Sequence, residues 1–305
     1  MRPFVVVFLL FLVGLAAWLL WDKLTARQPP SKPEAQGKPL VEITDSSATL
    51  PSQPQKASSA ANSPSDGRLL AYASLEYARA QAKAPCHYIR HRYYALCYDE
   101  EHEQPRWTVH ILQREKLKSG KVRRTQDFRP DPLVPHQSAQ LADYRGSGYD
   151  RGHLVPAGDF KWDSTAMSET FYLSNMSPQL HEFNAGIWEE VESTVRQWAL
   201  QKGTLVVFTG PVLKEVRKRI GESRVSVPSA FYKVVYDLNE KSPAAAAFIV
   251  PHAPSSKPPT SFLVRVDSVE KLTEIDFFPA LPDEIEERIE SRLERRQWEG
   301  KQRHR

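Results

Sequence analysis

Arg151 and His153 stand two residues apart in the segment 149–154 (Tyr-Asp-Arg-Gly-His-Leu), and together they suit chemistry at a phosphodiester. In an extended segment alternate side chains share a face, so these two project together while Asp150 projects to the other side. An arginine offers a rigid fork of donors to phosphate oxygens, and a neutral histidine accepts a proton near pH 7. Gly152 lacks a Cβ and lets another group approach closely. The alternative is a strand end with two ordinary surface residues.

A helix is predicted from Asn184 to Gln201. Its apolar face falls at helical spacings and comprises Ile187, Trp188, Val191, Val195 and Trp198. On a straight helix Asn184 and Glu192 share one side, about 12 Å apart along the axis, whereas Glu189 and Glu190 point away. They cannot both bind one ion directly, so we interpret Glu192 as bonded to a water on a metal that Asn184 holds. Asn184 is alternatively a helix N-cap.

Several separated motifs follow one another in a familiar order. They are Ala142-Asp143-Tyr144-Arg145-Gly146-Ser147-Gly148-Tyr149 running into Asp150-Arg151-Gly152-His153, then Phe171-Tyr172-Leu173-Ser174-Asn175, then Asn184-Ala185-Gly186-Ile187-Trp188. This order resembles the DNA/RNA non-specific endonuclease family, especially its endonuclease G-like members, over roughly residues 86–282. The resemblance implies a ββα-metal (His-Me finger) core.

The resemblance also implies roles for individual residues. His153 would be the general base, and Asn184 the only protein ligand of a Mg²⁺ ion, with Mn²⁺ as a substitute. Glu192 would orient the waters on that ion. Arg151 and Asn175 would position or stabilise the phosphate and the surrounding site. Relatives commonly carry glutamine where this chain has Ala185, which puts one neighbouring contact in doubt.

The stretch from Gln113 to Pro130 is strongly basic, with seven lysines and arginines against two acidic residues. A solvated loop is the usual meaning of such a run. Because it directly precedes the Arg-Gly-His segment, we interpret it as a phosphate-binding rim. Relatives carry an arginine here that contacts the scissile phosphate, and Arg124 and Arg129 are both candidates.

The N-terminal residues 1–27 are predicted to form a hydrophobic anchor or a signal segment. Pro3 to Trp21 contains no charge and has the length that just spans a bilayer. Trp18 and Trp21 stand where a signal peptidase site would be expected, and they suit a membrane interface, which favours an uncleaved anchor. Residues 28–66 hold seven prolines and no aromatic residue, so we predict a disordered linker.

The remaining chain is predicted to form an endonuclease domain over residues 67–282 and a charged C-terminal helix and tail over 283–305, with Asp283 and Glu286 as a capping pair. Cys86 and Cys97 are the only cysteines and flank a β-prone run, which favours a local disulfide in an oxidising compartment over two free thiols. With the anchor, they predict an extracytoplasmic catalytic domain on the periplasmic side or its equivalent, or a secreted protein if the leader is cleaved.

The predicted fold class is α+β, with a mainly antiparallel sheet and flanking helices. Strands are predicted at 204–209, 228–237 and 244–250, and a helix at 69–83. The predicted function is Mg²⁺-dependent, largely sequence-non-specific hydrolysis of DNA and RNA, because phosphate contacts carry no direct sequence information. The relatives suggest a homodimer. The alternatives are a catalytically silent, membrane-tethered nucleic-acid-binding module and a phosphodiesterase acting on small phosphodiesters.

Overall fold

A computed structural model of the chain describes residues 68–136 and 138–299. The predicted anchor (1–27) and linker (28–66) lie outside the described residues, so both stay predictions. Within the part of the chain that is described, no helix is long and apolar enough to cross a bilayer.

A seven-stranded sheet forms the centre of the fold, in the order β12-β11-β10-β7-β4-β3-β2. The strands are β1 (Ala80–Ala82), β2 (His87–Arg90), β3 (Tyr94–Asp99), β4 (Gln104–Gln113), β5 (Asp150–His153), β6 (Met176–Gln179), β7 (Thr204–Pro211), β8 (Lys218–Ile220), β9 (Val225–Val227), β10 (Ala230–Asp237), β11 (Ala244–Pro251), β12 (Leu263–Val264) and β13 (Ile275–Phe277). Every neighbouring pair in the central sheet is antiparallel. Three two-stranded sheets, β1-β13, β5-β6 and β8-β9, lie beside it.

The helices are short except for the one beside the candidate site. They are α1 (Arg114–Ser119), α2 (Leu141–Tyr144), α3 (Ser164–Glu169), α4 (His181–Phe183), α5 (Glu189–Lys202), α6 (Val266–Thr273), α7 (Asp283–Glu290) and α8 (Arg295–Trp298). A π-helical turn, Asn184–Trp188, joins α4 to α5. The predicted α+β fold with a mainly antiparallel sheet is confirmed.

Both faces of the central sheet are buried, which explains why β7, β10 and β11 read as nearly continuous apolar runs. Helix α5 covers one face, where Val191, Val195 and Trp198 pack against strand residues such as Val207 and Phe248. The apolar stripe predicted for this helix is therefore buried as expected. The opposite face is covered by the segment after Leu69, by α6 and by β13.

The helix predicted over 69–83 is wrong. Only a 3₁₀ turn forms, at Leu69–Tyr72, and the chain then extends into β1, which pairs with β13 about two hundred residues away. The buried side chains of Tyr72, Leu75 and Ala78 pack on the sheet while the chain between them runs through bends and turns. Long-range pairing thus overrides a local helical pattern.

The single C-terminal helix predicted from residue 283 is also interrupted. It stops at Glu290 and resumes at Arg295, because Trp298 turns back to pack against Trp198, with ring centroids 4.7 Å apart. The Nε1 atom of Trp198 donates to the Trp298 carbonyl oxygen at 2.6 Å. The predicted capping pair is wrong, since Pro282 occupies the N-cap and no side chain caps this helix.

Cys86 and Cys97 form a disulfide, as the sequence favours. The Cα atoms lie 5.3 Å apart, and the bond links the start of β2 to its antiparallel partner β3. The bond therefore pins the strand at one edge of the central sheet.

Candidate active site

The Arg-Gly-His segment forms β5 and pairs antiparallel with β6. A Cβ added to Gly152 would lie 2.1 Å from the side chain of Gln179 on β6, so glycine is required for this pairing. The close approach predicted at Gly152 is confirmed. Residues 173–175 form a 3₁₀ turn, and the partner strand begins at Met176.

His153 is buried with one ring nitrogen unpaired. Its ring packs edge-on against Phe171, with centroids 4.7 Å apart, and near Phe128 at 5.8 Å. The Nε2 atom has no hydrogen-bond partner among the described residues. Burial, with a smaller contribution from the charges of Arg124 and Arg151, lowers the pKa of His153 to about 3. The imidazole is therefore neutral at neutral pH, with a free nitrogen.

Asn184 is held by a neighbour that aims its amide. Its Nδ2 atom donates to Asp150 Oδ2 at 2.9 Å, and the same carboxylate oxygen lies 2.9 Å from His181 Nδ1. The Oδ1 atom takes no hydrogen bond from any residue in the described ranges. Asn184 has helical backbone angles within a helix that starts at His181, so the alternative that it is an N-cap is wrong. Because Asp150 engages the amide nitrogen, the oxygen is the side-chain atom left for a ligand.

The straight helix assumed for Asn184 and Glu192 is wrong. The π turn separates them, and within it Gly186 has a non-helical backbone, with φ −112° and ψ −115°. The wider turn changes the angular phase of every later residue. As a result Glu189, expected to point away, lines the same cleft as Glu192.

A cleft of about 550 Å³ brings most of the predicted site residues together. His153, Asn184, Glu192 and Arg124 all line it, and Arg196 joins them. Strand β5, the turn at Asn184–Trp188, helix α5 and the loop after α1 supply these residues from distant parts of the chain. The structure therefore brings an imidazole, a side-chain amide, carboxylates and cationic groups to one space.

The three predicted phosphate-contacting arginines lie in different places. Arg124 is exposed and lines the cleft, with its guanidinium 5.3 Å from the Phe171 ring centroid. Arg129 is engaged elsewhere, since its NH1 atom lies 2.9 Å from an Asp127 carboxylate oxygen and its guanidinium stacks on a tyrosine ring. Arg151 stands over Phe128 at 4.2 Å, beside His153 but outside the cleft lining.

Asn175 is fully buried and bonded only to backbone. Its Oδ1 atom accepts from the Val155 amide at 2.9 Å, and its Nδ2 atom donates to the carbonyls of Val155 and Thr170. Leu154 also donates to the Asn175 carbonyl at 3.1 Å. Asn175 thus clamps the segment that follows His153 and has no side-chain atom left for a phosphate.

Sequence reasoning missed a buried polar network beneath the cleft. Arg196 NH1 lies 3.8 Å from Glu192 and 3.0 Å from Asp159, whose other carboxylate oxygen lies 3.0 Å from His110 Nε2. Lys233, also buried, donates to the Thr209 hydroxyl at 2.6 Å. Burial raises the pKa of Glu192 to about 7, opposed by the positive charges of Lys233 and Arg196.

One signal in the sequence could have found part of this network. Glu192 and Arg196 are four residues apart on a helix, the spacing at which opposite charges meet. His110 and Lys233 carry no such signal, because they reach the network from strands β4 and β10.

Comparisons with known proteins agree with this arrangement. A family model described as DNA/RNA non-specific endonuclease matches residues 74–284. The mitochondrial nuclease EXOG of Xenopus laevis is 38% identical over 210 residues, covering 64% of this chain and 58% of that protein. The human mitochondrial endonuclease G is 36% identical over 200 residues, covering 61% of this chain and 67% of that protein.

A solved structure shares the fold. The crystal structure of the EndoG/EndoGI complex aligns with a TM-score of 0.61 and 32% identity, covering 65% of this chain and 88% of that one. The match to the EXOG relatives spans less than two thirds of their own length. The family model nevertheless covers more than half of the present chain, and the chain belongs to the DNA/RNA non-specific endonuclease family.

Proposed function

We propose that this chain is a metal-dependent endonuclease that hydrolyses phosphodiester bonds in DNA and RNA with little sequence preference. The observation that carries the proposal is that His153 and Asn184 line one cleft, where Asp150 holds the amide nitrogen of Asn184. Neither motif alone predicts this, since they are separated along the chain and lie on different elements. Family membership supports the same activity.

The residues present fit a Mg²⁺ ion. Asn184 would hold it through Oδ1, and Glu192 would act on its coordinated waters, an arrangement that suits an ion that keeps several waters. When bound, the ion supplies positive charge that stabilises the negative charge growing on the phosphate and the leaving oxygen. The bond from Asn184 to Asp150 supports this fit, because it fixes which amide atom faces the cleft.

His153 acts as the general base. Its low pKa keeps it neutral in the free protein, so it is ready to accept a proton from water. The causes of that low pKa include Arg124 and Arg151, and a bound phosphate offsets both charges. The part of the pKa shift that comes from the two arginines would therefore shrink when substrate binds, while the larger part, which comes from burial, would remain.

The test is cleavage of supercoiled plasmid by wild type and by His153→Ala. Wild type is expected to nick the plasmid with Mg²⁺ and to stop when a chelator is added. A general base contributes about 10²–10⁴-fold, so His153→Ala should lose at least that much activity while keeping its fold. Near-normal turnover by this variant contradicts the assignment.

The same assay separates the rival functions. A silent nucleic-acid-binding module would bind the plasmid without nicking it. A phosphodiesterase for small substrates would cleave a small diester in preference to long DNA, whereas steep loss of activity with salt favours the polymer.

Location and assembly form part of the proposal. The Cys86–Cys97 disulfide supports an oxidising, extracytoplasmic compartment, with the N-terminal segment as a membrane anchor or cleaved leader. The proposed assembly is a homodimer. N-terminal sequencing of membrane and soluble fractions tests the leader, and light scattering tests the dimer.

A further inference from the structure

A second cluster of metal-ligating side chains lies outside the cleft. His87 on β2, Glu100 in the turn after β3 and His136 in the loop after Asp131 bring their donor atoms within 4.8 Å of one another. None of the three lines the proposed active site. The sequence gives no sign of the cluster, because its members come from three separate segments.

The distances suit a small tetrahedral ion. His136 Nδ1 lies 2.7 Å from both carboxylate oxygens of Glu100, and His87 Nε2 lies 3.6 Å from the nearer one. Ligands about 2.0–2.1 Å from a tetrahedral ion lie roughly 3.3 Å apart, so the observed separations bracket the required one.

A simple ion pair leaves part of this arrangement unexplained. One carboxylate is already paired with His136, and at 3.6 Å the approach of His87 is too long for a hydrogen bond. His87 therefore stands with its Nε2 atom towards the pair without bonding to it. An ion that accepts lone pairs from all three groups accounts for the convergence.

We propose that His87, Glu100 and His136 bind Zn²⁺ at a site separate from the catalytic cleft. Two imidazoles and one carboxylate form a ligand set that zinc accepts, with water in the fourth position. Imidazole nitrogen selects against Mg²⁺, which prefers oxygen. The chain thus presents two sites with different donor chemistry, an oxygen site at Asn184 and this nitrogen-rich one.

Zinc at this site would link the loop that contains His136 to the β2–β3 hairpin, which the Cys86–Cys97 disulfide also joins. Asp131, at the start of that loop, accepts a hydrogen bond from Ser174 and lies 2.9 Å from His91 Nε2. Ser174 precedes Asn175, which clamps the segment after His153. Bound zinc would therefore stabilise the scaffold behind the site without entering the cleft.

Calorimetric titration of ZnCl₂ into the full-length chain, without an affinity tag and with excess Mg²⁺, tests the proposal. Wild type is expected to bind one equivalent that is lost in both His136→Ala and Glu100→Gln. Glu101→Gln is the matched control, since it makes the same change at the next residue, outside the cluster. Zinc should raise the melting temperature of wild type and of Glu101→Gln only.

Several outcomes overturn the proposal. One is the absence of a saturable zinc equivalent in wild type, and another is its retention in His136→Ala and Glu100→Gln. Loss of that equivalent in Asn184→Ala alone would assign the ion to the cleft. Circular dichroism without zinc checks the fold of each variant, and unchanged Mg²⁺-dependent nicking by His136→Ala separates this site from the proposed function.

Discussion

The two faces of the central sheet are built from different chemistry. On the face away from α5, residues such as Val109, Phe208 and Val234 pack against apolar groups. On the face beneath α5, apolar residues share the surface with the buried side chains of His110 and Lys233. Neighbouring residues of one strand therefore have different roles. Those on one face stabilise the fold, and those on the other face support a charged site.

This difference shows where the protein accepts the cost of burying polar groups. A buried charge is destabilising unless other groups compensate for it. Here the compensation is a chain of contacts that runs from His110 through Asp159 and Arg196 to Glu192. We infer that these groups are retained because they hold the cleft residues in place.

The largest expected effect comes from breaking the apolar face. Phe208→Ala removes a fully buried ring and should lower the free energy of unfolding by about 3–5 kcal/mol. Denaturant titration measures this loss. Activity per folded molecule should stay near that of wild type, and a selective loss of turnover would show that the two faces are not independent.

On the site face, Asp150→Ala should free the Asn184 amide to rotate. Removing a group that orients a metal ligand typically weakens metal affinity about 10–100-fold. Calorimetry with Mg²⁺ and the Mg²⁺ dependence of nicking both measure this. Asp283→Ala, at the start of α7 and outside the cleft, is the control and should change neither.

Lys233→Met removes the buried charge and keeps the side-chain length. Lys233 lowers the pKa of Glu192, so its loss should raise that pKa further. Because the ionised fraction of Glu192 at pH 7 falls as its pKa rises, activity at pH 7 should drop by about fivefold for the first unit of rise and recover at higher pH. An unshifted pH profile of kcat/KM would mean that Lys233 serves packing alone.

The smallest expected effect is a difference between Arg124 and Arg129 in how their substitution changes the salt dependence of DNA binding. Arg124→Ala should reduce the slope of log affinity against log salt by about one, since one phosphate contact is lost. Arg129→Ala should leave that slope unchanged, because Arg129 is already paired with Asp127. Binding of an inactive His153→Ala background to duplex DNA at several salt concentrations measures both.

The apolar face and the site differ in how far the sequence predicted them. Strands β7, β10 and β11 were predictable because burial on both faces leaves long apolar runs. The convergence of His153 and Asn184 was predictable only from motif order in a known family. The position of Glu189 was predicted wrongly because no local sequence pattern indicates the irregular turn before it. His110 and Lys233 were missed because their contacts depend on the register of the strands.

The irregular turn at Asn184–Trp188 limits how far the thermal stability of this protein can be raised without loss of activity. Gly186 interrupts the helix here with non-helical backbone angles, so deleting a residue there would let the helix continue without a kink. The same deletion would rotate Asn184 by roughly 100° relative to Glu192 and aim its oxygen out of the cleft. Selection for thermal stability alone would therefore favour a regular helix in an inactive protein, whereas selection for cleavage would preserve the irregular turn.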